Sequence, residues 1–358
     1  MKNKQFIILA VVCVVTLLPF MGLTDFHTKG EPREAIVAYS MIETGNWTLP
    51  VNNGGDIALY LRRGASAVVG LLPPLFHWCI AALSSIAGKV TEYTSRMPSA
   101  LALIAMVLGG FLFYAKRRGA SVALLMGLIT LSNFEVHRAG MNCRVDMMLT
   151  AFIVLALYQL YRWCEKGQKG FPWIATLFMG CATLTKGPVG ILLPCMVTGV
   201  FLLIRGTSFF KAFFSMALVA ITSCILPALW YIAAYQQGGD NFISLVMEEN
   251  FGRFMGKMSY ESHENPAYYN IITVVSGYAP YIRENNRKTP RMVAEVHNIY
   301  PRNGQHPLVL FIEHCSHFRF LLHPKEQAQC LPVTHLSVHR LFPCRIYHVS
   351  GPEKLKSC

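Results

Sequence analysis

Apolar residues are grouped along this chain into long runs, and polar residues are confined to the stretches between them. A transmembrane helix needs about 20 apolar residues because the hydrocarbon core of a bilayer is about 30 Å thick. The pattern therefore predicts seven spans, and a partial eighth over residues 268–281. The seven cover residues 6–23, 98–115, 120–134, 146–163, 171–184, 188–204 and 212–235.

One further apolar run, residues 73–87, is short for a span, and charge decides where it lies. If it stays in the interface, the basic groups at 116–118, 162–169 and 205–211 all face the cytoplasm, together with Lys2 and Lys4. The positive-inside rule requires this arrangement. If the run crosses, these loops turn outward and contradict the N-terminus. We therefore predict an interfacial helix here.

The acidic residues are distributed unevenly in this topology. Of the 14 Asp and Glu residues before position 282, Glu165 alone falls on the cytoplasmic side. Acids hardly influence the orientation of a membrane protein, so this asymmetry is independent of the basic residues. It indicates chemistry on the outer face, although solvated loops that simply carry charge would give the same pattern.

Composition supports a membrane protein over a soluble one. Of the 358 residues, 53% are hydrophobic and 14% are charged, whereas a soluble domain has about 25% charged residues. The net charge is +13, but its basic residues lie in short groups between apolar runs. We expect membrane lipids as partners and no nucleic acid. The predicted fold class is an all-α, polytopic integral membrane bundle.

Three polar segments of the outer face stand out. The first is Lys-Gly-Glu-Pro-Arg-Glu-Ala at 29–35, followed by Gly-Asn-Trp at 45–47; the second joins Arg144-Val-Asp146 with Thr-Lys-Gly-Pro-Val-Gly at 185–190. The third is Glu-Glu-Asn-Phe-Gly-Arg-Phe at 248–254. Basic side chains at a membrane boundary hold lipid phosphates, and a nearby carboxylate deprotonates an acceptor hydroxyl. A transferase that takes a sugar from a polyprenyl phosphate needs both.

The order of these motifs, with Pro-Pro-Leu-Phe-His-Trp at 73–78 between them, resembles the bacterial family 39/83 glycosyltransferases. These are membrane enzymes of the GT-C fold, related to the aminoarabinose transferase of lipid A and to protein O-mannosyltransferases. The resemblance covers roughly residues 5–281. It implies interfacial helices in the first periplasmic loop. It also implies transfer at the periplasmic face of the bacterial inner membrane, from an undecaprenyl-phosphate-linked sugar to lipid A, another envelope glycan or a protein.

The resemblance also assigns a catalytic candidate. An acidic pair in the first outer loop is central in such enzymes, and Gly30-Glu31 stands at that pair in this chain. Glu31 is therefore the expected base or metal contact, and Asp25 and Glu34 are weaker substitutes. The alternative interpretation is that Glu31 and Glu34 are first-turn helix charges.

Further residues match family positions that contact substrate or metal. Arg33 matches an arginine that faces the donor phosphate, and Lys186 and Arg253 match other basic positions. Asp146 matches an acid at the outer start of a span, and His263 matches a histidine that helps bind a divalent metal ion. The substrate-binding set is thus Arg33, Glu34, Asp146, Lys186 and Arg253, although the arginines would also serve as interfacial anchors. His77 beside Trp78 is interpreted as an amphipathic interfacial pair.

Two segments depart from the family pattern. Residues 59–72 intervene before the Pro-Pro pair, and the lysine expected before that pair is absent. After residue 281 the apolar pattern stops, and the last 77 residues hold 8 of the 12 histidines without regular spacing. We interpret both segments as translated in a shifted reading frame. The predicted organisation is a GT-C region over 1–281 and an irregular, basic, His-rich tail over 282–358.

The sequence thus predicts a membrane glycosyltransferase. A transporter or lipid flippase is the alternative from another class, but such proteins show internal repeats and mid-membrane charges. No repeat is visible here, and the charges lie at the outer ends of the spans. An inactive, truncated product that merely inserts into the membrane is the third interpretation.

Overall fold

The structure is a computed structural model that describes residues 2–28, 30–49, 51–52, 56–57 and 73–247. These residues form a helical bundle, and two short strands pair antiparallel with Val51 opposite Ile57. The helices are α1 (Lys2–Leu17), α2 (Gly30–Thr44), α3 (Leu75–Ala87), α4 (Glu92–Ala115), α5 (Ala120–Ser132), α6 (Phe134–Met141), α7 (Val145–Glu165), α8 (Trp173–Lys186), α9 (Val189–Ile204) and α10 (Phe209–Met247). A 3-10 turn, Leu18–Phe20, extends α1, and the strands are β1 (Val51–Asn52) and β2 (Asp56–Ile57). The all-α fold class is confirmed.

Length separates the described helices into two groups. Four segments are long and apolar enough to cross a bilayer: Asn3–Phe20, Glu92–Ala115, Val145–Glu165 and Phe209–Asp240. The pair α5 and α6 qualifies as a fifth if its bent path counts as one span. α8 and α9 have 14 and 16 residues, which at about 1.5 Å per residue is short of a 30 Å core. Four of the seven predicted spans therefore meet the length criterion, and a fifth does so if α5 and α6 count as one span. The partial eighth lies outside the described residues.

A single asparagine ends the predicted span over 120–134. α5 stops at Ser132, and α6 leaves it at an angle of 68°. The Asn133 side chain accepts hydrogen bonds from the amides of Glu135 and Val136, at 3.1 and 3.2 Å. This is an N-cap, which starts a new helix in a new direction. The sequence pattern continued the apolar run through this position because a lone polar residue hardly changes it.

α4 lies at the centre of the bundle and packs against α5 and α7. Thr91 starts it with a capping box, in which Thr91 and Thr94 each bond the other's backbone amide. Leu103 and Phe111 on α4 and Leu149 and Ile153 on α7 are almost completely buried in the main core. The buried face of α4 therefore fixes the positions of its neighbours.

α2 and α3 lie together at the end of the bundle where α4 and α7 begin. They share a second apolar cluster, which includes Ala38, Met41, Phe76 and Ile80. α3 has 13 residues, which at about 1.5 Å per residue is too short to span a bilayer. Its length fits the predicted interfacial helix.

Two tryptophans hold the loop that follows α2. The indole N–H of Trp78, on α3, donates to the carbonyl of Trp47 at 2.6 Å. The indole N–H of Trp230, on α10, donates to the carbonyl of Thr48 at 3.0 Å. This loop is therefore attached both to α3 and to α10, which is distant from it in the sequence.

The turn between α8 and α9 depends on two glycines. Gly187 has φ +88° and ψ −161°, a conformation that is accessible essentially to glycine alone. Gly190 lies where the helices almost touch, because a Cβ there would be 2.5 Å from the amide nitrogen of Thr183. The turn holds Lys186 at the end of α8.

We predict that Gly190→Ala destabilises the protein by about 1–3 kcal/mol, because the neighbouring atoms are backbone that cannot move aside. The matched control is Gly199→Ala on the same helix, where a Cβ would lie 3.8 Å from Met216 Cγ in ordinary contact. That change should be neutral or slightly stabilising, since alanine favours helix. Thermal unfolding in detergent measures both, and equal Tm values for the two variants would contradict the prediction.

Candidate active site at one end of the bundle

The first turn of α2 places Glu31 in a fully buried position. Its side chain is 0% exposed, and both carboxylate oxygens accept hydrogen bonds. Oε1 receives Arg96 Nε at 2.9 Å and the amide of Cys143 at 3.0 Å. Oε2 receives the amide of His27 at 3.1 Å. Glu31 therefore connects α2 to α4 and to the segment that precedes α7.

Arg96 is the partner of this carboxylate and is itself 1% exposed. Besides Glu31, its guanidinium donates to the backbone carbonyls of Met21, Thr24 and Asp25, at 2.6, 2.7 and 2.9 Å. One side chain thus fixes the chain that leaves α1 and the start of α2. The buried pair is fully hydrogen-bonded, which is the condition under which charges are tolerated in an interior.

Glu34, one helical turn later, forms a second buried cluster. Arg33 donates to Glu34 Oε1 from Nε at 3.1 Å and from Nη2 at 2.6 Å. The other oxygen, Oε2, lies 2.6 Å from His77 Nε2 on α3. The Glu34 and His77 side chains are each 4% exposed, while that of Arg33 is 28% exposed. The cluster therefore presents a single cationic group to the outside.

The interpretation of His77 as an interfacial side chain is wrong. The ring is buried and bound to Glu34, because α3 packs its His77 face against α2. His77 Nδ1 makes no hydrogen bond within the described residues. The neighbouring Trp78, in contrast, is partly exposed at the surface of the bundle.

Charge environment lowers the pKa of both glutamates. Burial alone would raise both pKa values. For Glu34, the Arg33 guanidinium and the hydrogen bond to His77 outweigh burial and lower the pKa from 4.5 to about 2. The pKa of Glu31 is also lowered, because Arg96 and the amides of Cys143 and His27 outweigh burial. Both carboxyl groups are therefore ionised at neutral pH.

The second of the three polar segments brings Lys186 to Asp146. Lys186 ends α8, Asp146 lies in the first turn of α7, and Lys186 Nζ bonds Asp146 Oδ1. The side chains are 9% and 20% exposed. An acid is favourable at a helix N-terminus and a base at a C-terminus, so each helix end supports its own charge. Asp146 is the most exposed of the predicted acids Glu31, Glu34 and Asp146.

By the resemblance, Gly30 stands where such enzymes have the first acid of the pair, and it faces an arginine. A Cβ on Gly30 would lie 3.7 Å from Arg144 Nη2. Arg144 precedes Asp146 by two residues, and its carbonyl accepts from the Ser99 hydroxyl at 3.1 Å. A carboxylate at position 30 would therefore extend into a region of positive charge.

The structure brings Glu31, Arg33, Glu34, Asp146 and Lys186 to the same end of the bundle. Arg253 and His263 lie outside the described residues. Among the residues that the structure covers, no group of three His, Cys, Asp or Glu side chains is arranged to hold a metal ion. No step proposed below uses a metal.

Sequence reasoning did not identify Arg96 or His77 as site residues. Arg96 had a detectable signal, since an arginine two residues before a predicted span is costly to bury and marks a specific partner. The predicted span began at residue 98 and left it in the loop, whereas α4 begins at Glu92. His77 had no comparable signal, because its partner is 43 residues away.

The fold and the site define a polytopic GT-C membrane bundle. A crystal structure of ArnT from Cupriavidus metallidurans bound to undecaprenyl phosphate superposes with a TM-score of 0.69 at 17% identity, over 93% of this chain and 57% of that one. A likeness of this kind establishes the fold. The chain is accordingly a multi-pass membrane protein.

Sequence comparisons define the relationship more closely. The family described as dolichyl-phosphate-mannose-protein mannosyltransferase matches residues 72–231. The chain is 25% identical to the undecaprenyl phosphate-alpha-4-amino-4-deoxy-L-arabinose arabinosyl transferase of Shewanella sediminis (strain HAW-EB3), over 74% of this chain and 46% of that protein. It is 24% identical to an uncharacterized protein of Aquifex aeolicus (strain VF5), over 78% of this chain and 52% of that protein. The predicted resemblance to family 39/83 glycosyltransferases is confirmed, and the likeness is to the aminoarabinose-transferase type. The chain spans about half the length of these relatives.

We predict that Glu34→Gln makes stability less sensitive to acid. The folded pKa of Glu34 is about 2 and its ordinary value is 4.5, so its stabilising contribution is present above pH 4.5 and is lost as pH falls toward 2. The wild type should therefore lose stability across this window, about 3 kcal/mol in all. The variant should start less stable at pH 7 and show a flatter profile.

The matched control is Glu43→Gln, at an exposed position on the same helix. Its Tm should follow the wild-type profile from pH 7 to pH 3. Parallel profiles for the wild type and Glu34→Gln would show that Glu34 contributes no pH-dependent stability.

Proposed function

We propose that this chain carries the membrane-embedded site of a glycosyltransferase that uses an undecaprenyl-phosphate-type donor. The acceptor is lipid A, another envelope glycan or a protein, and the site faces the periplasm of the bacterial inner membrane. The GT-C fold and the named arabinosyl transferase relatives support this proposal. Within that group, aminoarabinose transfer to lipid A is the reaction with most support.

The observation that carries the proposal is the paired arrangement of bases and acids at one end of the bundle. Each base is held by a carboxylate: Arg33 by Glu34, and Lys186 by Asp146. Side chains fixed in this way lose less entropy when they meet a ligand. A donor phosphate is an anion at the membrane boundary, and partly exposed Arg33 and Lys186 would bind it.

We assign roles to Arg33, Lys186 and Asp146 from the charge that develops during transfer. When the bond between the sugar and the polyprenyl phosphate breaks, the leaving phosphate gains negative charge. Arg33 and Lys186 would stabilise that charge, which is the usual large contribution of fixed cations to transferase catalysis. If the acceptor is a hydroxyl, Asp146 would take its proton, because it is the most exposed of the three acids considered above.

Glu31, the predicted base, receives a different role in this proposal. Both of its oxygens are occupied and its side chain is 0% exposed, so it has no path to a substrate in this conformation. We assign it as a positioning residue that holds Arg96 and the chain around α2. Its contribution to transfer would then depend on the geometry of Arg33 and Glu34 on the same helix.

We predict that Arg33→Gln and Lys186→Gln each lower transfer at least tenfold, because each removes a cation from the leaving phosphate (about 1.4 kcal/mol per tenfold). Membranes that contain the full chain would be given a labelled undecaprenyl-phosphate sugar, and label in lipid A and in protein would be measured separately. Glu43→Gln is the control and should retain wild-type transfer. Transfer by Arg33→Gln and Lys186→Gln equal to this control would refute the assignment.

A separate prediction concerns Glu31→Gln. The amide can still accept one hydrogen bond but leaves Arg96 as a buried charge, so we expect a loss of about 3 kcal/mol of stability. Compared at a temperature where both proteins are fully folded, its transfer should fall less than that of Lys186→Gln. A stable Glu31→Gln protein with no transfer would instead identify Glu31 as the base.

A further inference from the structure

The opposite end of the bundle carries a concentration of basic side chains. α4, α7 and α9 end there, and α5, α8 and α10 begin there. Glu165 is the one acid at this end within the described part of the chain. The basic residues in its loops and helix ends are Lys116, Arg117, Arg118, Arg162, Lys166, Lys169, Arg205 and Lys211. The positive charge of these eight side chains is far greater than the single negative charge of Glu165.

Three aromatic rings from three helices form a platform beneath this charge. Phe113 on α4 and Tyr161 on α7 have ring centroids 5.6 Å apart at 73°. Tyr161 and Phe201 on α9 are stacked at 5.6 Å and 27°. We call Phe113, Tyr161 and Phe201 the aromatic platform. Because it is built from helix ends that pack on one another, it is a rigid surface.

Two arginines from different loops lie on this platform. The Cζ of Arg117 is 3.8 Å from the Phe113 centroid and 5.4 Å from that of Tyr161. The Cζ of Arg205 is 5.5 Å from the Phe201 centroid. A guanidinium over an aromatic face is held by cation–π attraction, and those of its five N–H donors that are not bonded to the protein can still meet an anion.

Hydrogen bonds fix the same two side chains further. Arg117 Nη1 donates to the carbonyl of Phe113 at 2.9 Å, and Glu165 accepts from both Nε, at 3.0 Å, and Nη2. One N–H of Nη1 and one of Nη2 lie outside these bonds. Arg205 Nη1 donates to the carbonyl of Cys164 at 3.4 Å. Both guanidinium groups are therefore oriented before any ligand binds, as a specific anion site requires.

An apolar surface continues directly from Arg205. Phe209, Phe210, Phe213 and Phe214, in the first turns of α10, are each more than half exposed. Phe209 and Phe213 stack at 6.2 Å and 17°, so the rings form a continuous face. A free phosphate ion would not contact these rings, whereas the acyl chains of a lipid would cover them.

We propose that the aromatic platform, with Arg117 and Arg205, binds the phosphate of an anionic phospholipid. The acyl chains of the lipid lie along the phenylalanine face of α10. A headgroup with two phosphates, as in cardiolipin, matches two oriented guanidinium groups better than one with a single phosphate. The site is independent of the glycosyl-transfer site, since it lies at the other end of the bundle.

Native mass spectrometry of the purified full-length chain tests this proposal. The dissociation constant would be measured for cardiolipin, phosphatidylglycerol and phosphatidylcholine. We expect the order cardiolipin, then phosphatidylglycerol, with phosphatidylcholine weakest. Equal binding of phosphatidylcholine and cardiolipin would overturn the proposal.

The informative variant is Arg117→Lys with Arg205→Lys, which keeps every charge but removes the planar groups that the rings orient. We expect the dissociation constant for cardiolipin to rise about tenfold. The control Lys166→Gln with Lys169→Gln removes two charges from an exposed loop and should change it less than about threefold. If the control loses as much affinity as the arginine variant, binding depends on net charge alone and the proposal fails.

Should the double arginine variant fold poorly, Arg205→Lys alone gives the same test at an exposed residue. An increase of about threefold in the dissociation constant is expected. No change, with an unaltered Tm in phosphatidylcholine, would exclude Arg205 from the site.

Discussion

The ion pair between Arg96 and Glu31 is the interaction on which the end of the bundle with the candidate site depends. It is a charge pair with almost no exposure, and it is tolerable because both groups are fully hydrogen-bonded. The hydrogen bonds of this pair join four parts of the chain: the segment after α1, the start of α2, the first turns of α4 and the segment before α7. The position of α2 in turn places Arg33 and Glu34.

Much of the architecture could be predicted from the sequence, because apolar runs and basic loops are local signals. The helices, the outer grouping of Glu31, Arg33, Asp146 and Lys186, and the family resemblance follow from such signals. The contacts of the site could not be predicted, since Arg96 meets Glu31 across 65 residues and His77 meets Glu34 across 43. No periodicity encodes which distant side chain neutralises a charge. The bend at Asn133 was not predicted for a different reason. A single N-cap residue ends α5 and starts α6, although the apolar pattern continues through it.

The two ends of the bundle use charge in different ways. At the end with the candidate site, the acids Glu31, Glu34 and Asp146 each bind a base, so the positions of these bases are fixed by ion pairs. At the other end, acids are scarce among the described residues and aromatic rings orient the arginines. Arg117 is also paired with Glu165, but eight basic side chains at this end face that one described acid, so a large positive charge remains. The end of the bundle that carries the aromatic platform therefore keeps a strong positive potential.

The hydrogen bond from Trp230 to the carbonyl of Thr48 joins residues 182 positions apart. A ribosome adds about 5–20 residues per second, so roughly 10–40 s of synthesis separate the two partners. During that time α1 and α4 can already be inserted, but the loop after α2 lacks its contact with α10. The loop after α2 thus gains its contact with Trp230 only when the last described helix has left the ribosome.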